Sequence, residues 1–151
     1  MVKIAALCVV GWLLAGCGTG DRPLRQEEVV LHSEVVLEAE EGLQGAVRVD
    51  SVYWELGRLD FTVSEAVEIE GRAQVFFRNL AQQAVEIRYE LRFFDEDLFL
   101  VDRFIPFGQP LRLEAGQAEA AAGAFFVRLG AIEDLRFLTT MRVVARIAAG
   151  D

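Results

Sequence analysis

A nucleophile needs a base beside it, and this sequence has one histidine, His32, next to Ser33. Neighbouring residues on an extended strand point to opposite faces, so these two side chains cannot hydrogen-bond and a serine hydrolase is not expected. Metal chemistry is as thinly provided for. One histidine and two cysteines, Cys8 and Cys17, are too few for zinc or another borderline metal. The densest oxygen ligands are Asp95, Glu96, Asp97 and Asp102, a set that could hold Ca²⁺. Their spacing is not that of an ion-binding loop, and turns are commonly acidic to stay wet, so a solvated turn is expected, with no metal site and no cofactor.

Cys17 has the clearer chemistry. Residues 1–17 begin with a positive start at Lys3, continue as an apolar run over 4–14, and place the small residues Ala15 and Gly16 before the cysteine. An apolar run of that length spans roughly 16 Å as a helix, about half a hydrocarbon core, which suits a signal segment and not a transmembrane helix. Leu14-Ala15-Gly16-Cys17 resembles the bacterial lipobox. The resemblance implies that the thiol of Cys17 takes a diacylglyceryl group and that cleavage removes residues 1–16. Acyl chains contribute about 0.8 kcal/mol per buried CH₂, and more than one chain makes the anchoring stable. The alternative is an ordinary secretory signal that happens to carry a cysteine at its cleavage site. Gly18 stands where, by resemblance to enterobacterial lipoproteins, an Asp would retain the protein at the inner membrane. The periplasmic face of the outer membrane is therefore expected, with the inner membrane as the alternative.

Composition bounds the rest. Without residues 1–16 the chain has 135 residues, enough for one domain, and 53% of the whole sequence is hydrophobic with 11 Phe, far from the signature of disorder. The net charge is −9, and loss of Lys3 with the leader leaves 14 basic against 24 acidic residues. Nucleic acid is not expected as a partner, because a phosphate backbone needs clustered positive charge. With Cys8 in the leader and Cys17 lipidated, no intramolecular disulfide is expected and stability must come from packing.

The elements that would position any site read as strands. Residues 68–79 alternate, with Ile69, Ala73, Val75 and Phe77 on one parity and Glu68, Glu70, Arg72, Gln74 and Arg78 on the other. Residues 85–93 repeat the pattern, and with the polar link 79–84 between them the two predict a β-hairpin in which Asn79 opens the turn. Residues 46–56 switch parity near Asp50 and Ser51, which predicts a bulge, and a second short strand is expected over 59–63. Further strands are expected over 98–104, 111–113, 118–129 and 135–147, with a corner over 106–110 and a helical turn over 130–135. Residues 29–41 could be strand or helix. About eight short strands with regular turns imply an all-β sandwich or barrel over 29–151. Residues 17–28, polar with glycines and a proline, predict a flexible tether of roughly 18 Å span or, in part, a packed N-terminal arm.

Across residues 67–147 the order of features resembles the YcfL-like family of bacterial lipoproteins and, more loosely, FxLYD-type immunoglobulin-like domains. The residues that carry it are Phe77-Arg78-Asn79 and Tyr89-Glu90-Leu91-Arg92-Phe93-Phe94-Asp95, followed by a closing apolar strand. In the family the second run leads into a glycine turn; here the turn is Asp95-Glu96-Asp97-Leu98. The resemblance implies an immunoglobulin-like antiparallel sandwich on a lipid anchor in the cell envelope, and it brings no catalytic residues.

Aromatic residues out of parity are the functional lead. Phe76 and Phe94 fall on the charged parity, and Phe104 and Phe107 bracket the corner that ends at Pro110. Phe76 and Phe94 are expected under a neighbouring strand or the N-terminal arm; Phe104, Phe107 and Pro110 are the candidate interaction surface. The expected function is a non-catalytic envelope module that binds a protein partner through an edge strand or this corner. The alternatives are a structural spacer and a small-ligand-binding sandwich.

Overall fold

The computed structural model describes residues 22–23, 29–61 and 66–150. In chain order they form β1 (Arg22–Pro23), β2 (His32–Ala39), β3 (Val47–Phe61), β4 (Val67–Asn79), β5 (Val85–Asp95), β6 (Leu100–Phe104), β7 (Leu111–Leu113), β8 (Ala118–Leu129), a 3₁₀ helix (Ile132–Phe137) and β9 (Leu138–Ala149). Two sheets pack as a sandwich. The front sheet has the order β1-β3-β4-β8 and is antiparallel throughout. The back sheet has the order β2-β9-β5, with β6 and β7 both on the far edge of β5. One pairing departs from the antiparallel expectation: β2 runs parallel to β9, from His32 opposite Thr140 to Ala39 opposite Ile147. Residues 29–41, open between strand and helix in the sequence, thus hold an edge strand. Arg22 and Pro23, inside the segment read as a tether or arm, pair with Leu59 and Arg58 at the edge of β3.

The alternation in β4 and β5 is as expected, but the hairpin is not. β4 lies between β3 and β8, β5 lies in the other sheet, and the link over 79–84 is an arch across the core. A hairpin would leave both apolar faces on one side of one sheet; the arch sets them opposite each other. Phe77 meets Tyr89 with ring centroids 5.5 Å apart, and Phe93 meets Phe125 at 5.2 Å. Phe77, Phe93, Phe125, Ile69, Ile87 and Leu91 are fully buried in this layer, each worth about 1.5–3 kcal/mol relative to exposure. Asn79 holds the arch. Its amide is hydrogen-bonded to the carbonyls of Gln83, Leu113 and Glu114 and its Oδ1 accepts from the Ala81 N–H.

β3 slips register between Val49 and Ser51, the bulge that the parity switch predicts. A second slip, between Leu56 and Arg58, stands where the sequence suggested a strand break, so the two expected strands are one. At the first bulge Asp50 receives Arg78 at 2.8 Å and Arg48 at 2.6 Å, and these hydrogen bonds, Arg78 first, hold its carboxyl below the ordinary value. Gly71 in β4 is opposite Phe125. A Cβ there would stand 2.3 Å from the Phe125 ring, so the glycine is what lets that ring lie on the sheet.

The sandwich closes where β6 meets β8. Phe104 packs edge-on against Phe126 at 6.4 Å, and Asp102 Oδ2 accepts the Arg128 backbone N–H at 2.8 Å. On the opposite flank the Trp54 indole N–H donates to Ser33 Oγ at 2.9 Å, joining β3 to β2.

Candidate interaction surfaces

β6 and β7 run along one edge of β5 with a gap between them, and the corner over 105–110 bulges out of that gap. Gln109 fills it with its side chain. Its Oε1 accepts the Tyr89 backbone N–H at 2.7 Å and its Nε2 donates to the Tyr89 carbonyl at 2.6 Å, as a paired strand residue would. A second bond from Nε2 to the Pro106 carbonyl, at 3.3 Å, ties the corner to itself. Gly108 supplies the positive φ of 78° needed to turn the tip. Burial raises the pKa of the Tyr89 phenol beneath it.

The result of this bracing is Phe107, 97% exposed, with Ile105 57% exposed beside it. Below this lip is a concavity of about 440 Å³ on the outer face of the back sheet, with Arg88, Glu90, Val144 and Arg146 among its walls. Arg88 and Arg146 stand opposite each other across β5 and β9; Arg146 is paired with Glu38 at 3.0 Å, and Glu90 with Arg92. Of the residues read as a candidate surface, Phe107 projects fully, while Phe104 and Pro110 are half-buried and Phe104 is turned onto the seam with β8. Cys17 lies outside the described residues.

The other candidates separate. Phe76 is 36% exposed on the outer face of the front sheet, whereas Phe94 is buried on the outer face of the back sheet under the Arg142 guanidinium, 4.5 Å from its ring centroid. They are on opposite sides of the molecule, for the same reason that β4 and β5 are not a hairpin. Ser33 Oγ is engaged by Trp54, and His32 is exposed on the other face of β2. In the acidic group, Asp95 accepts the N–H groups of Asp97 and Phe99, and Asp102 accepts those of Arg103 and Arg128. Among the described residues no three His, Cys, Asp or Glu side chains gather as a metal ion would require.

Two features had no sequence signal. A glutamine that stands in for a strand looks like any corner residue, and Leu98, read as the start of a strand, instead takes a left-handed φ of 63°.

No family model matches the chain, and no curated protein matches it. Among solved structures, the X-ray structure of Northeast Structural Genomics Consortium target SoR45 is similar at 14% identity and a TM-score of 0.45, over 57% of this chain and 66% of that one. The crystal structure of Campylobacter jejuni cj0090 is similar at 16% identity and a TM-score of 0.34, over 74% of this chain and 97% of that one.

Proposed function

We propose that this protein is a non-catalytic interaction module of the bacterial cell envelope, a YcfL-like lipoprotein held by lipid on Cys17 at the periplasmic face of the outer membrane. The observation that carries the reading is Phe107: a large apolar side chain in full contact with water, on a corner braced from beneath by Gln109. A flexible loop would fold such a side chain against the protein. A braced one keeps it available, and aromatic residues held out of a surface are the anchors by which protein partners bind. The lipobox resemblance at Leu14-Ala15-Gly16-Cys17 supports the anchor.

The test is a photo-crosslinking residue in place of Phe107 in cells of the native host. Irradiation is expected to give one discrete protein adduct, absent when the crosslinker replaces the exposed Arg112. No adduct from position 107, or the same pattern from both positions, would remove the support for a partner at the corner.

A further inference from the structure

Several of the acidic side chains among the described residues are paired with arginine: Glu34, Glu38, Asp50, Glu68 and Glu90 each hold one. The end of the sandwich where β5 turns into β6 is different. Leu98, Phe99 and Leu100 are 61%, 70% and 55% exposed, three consecutive large apolar residues in water. The left-handed φ at Leu98 disfavours any side chain, yet the position carries a leucine. The turn is also fixed: Asp95 Oδ1 accepts from Asp97 and Phe99, and the Asp95 N–H donates to the Phe99 carbonyl. Between this tip and the 3₁₀ helix runs a groove of about 490 Å³. Leu100, Val101 and Phe137 supply its apolar part, and Asp95, Asp97 and Asp134 its acidic rim. Among the described residues those three carboxylates make no ion pair.

We infer that this groove docks a protein segment presenting apolar side chains flanked by lysine or arginine. The exposed tip calls for apolar cover, and the unpaired rim selects positive charge around it. A bilayer fits less well, because insertion of the tip would press the same carboxylates against lipid phosphates. The groove lies at a different place in the fold from the Phe107 corner, and its test does not depend on that corner or on the anchor.

A fluorescein-labelled peptide alternating leucine and lysine is titrated by anisotropy against the full chain in the presence of phosphatidylcholine vesicles, with vesicles alone as the blank. Binding is expected, and a leucine–glutamate peptide should not bind. Phe99→Ser and the double variant Glu96→Gln, Asp97→Asn should each weaken binding about ten-fold. Leu98→Gly should weaken it as well while raising the denaturation midpoint, because glycine suits the left-handed position; that variant guards against loss of fold as the explanation. The control pair Glu41→Gln, Glu55→Gln, exposed elsewhere, should leave binding unchanged. Absence of binding, or equal weakening by the control pair, overturns the proposal. So does a Phe99→Trp variant whose emission is quenched by brominated lipid without peptide, which would put the tip in a bilayer.

Discussion

Asn79 is fully buried, and its side chain ties the arch between the two sheets to the end of β7. It satisfies three carbonyls and one N–H there. Asn79→Ala removes the partner from all of these at once. We expect a loss of about 3 kcal/mol, read as a lower urea midpoint at an unchanged slope. The sequence made this residue visible as a turn-former and nothing more. An asparagine that takes a left-handed backbone and one that stays extended while its amide ties distant carbonyls look identical in a string of letters. Only the second kind is here: Asn79 ends β4, and Leu98 is the non-glycine residue with positive φ among those described.

At the scale of elements, period-two burial was legible wherever one face is apolar and the other charged, as in β4, β5 and β9. The bulge at Asp50 was legible too, because a slip of one residue flips parity. Which strands pair was not, since the same alternation serves a hairpin and an arch. The bulge gives a pH test. Asp50 has its pKa lowered from 3.8, chiefly by the Arg78 hydrogen bond. A depressed carboxyl stabilises the fold above its unfolded pKa, and that contribution disappears as the pH falls through the folded value. Asp50→Asn should therefore unfold at lower denaturant than the parent at neutral pH, and the gap should narrow below about pH 3.8. At the corner, Gln109→Ala should cost about 1–2 kcal/mol and speed hydrogen exchange at the Tyr89 amide, whose acceptor is removed. Unchanged exchange there would mean that the brace does not hold.

At the largest scale the described residues form two sheets joined at both flanks, by Phe104, Phe126 and Asp102 on one side and by Trp54 and Ser33 on the other. That scaffold holds a corner and a turn whose apolar side chains stay in water. Composition could set the expectation of one packed core; it could not say that Phe104 would turn inward and Phe107 outward, because that choice belongs to the β6–β8 seam. On the proposed reading such a module would act where it is held, and the sulfur of Cys17 is what would hold it. The most direct measurement is the mass of the protein recovered from the host membrane, compared with fractionation of a Cys17→Ser variant. The parent should sediment with membranes and begin at an acylated Cys17 without residues 1–16, and the variant should leave the membrane. A variant that still sediments, or a parent that retains its leader intact, would contradict it.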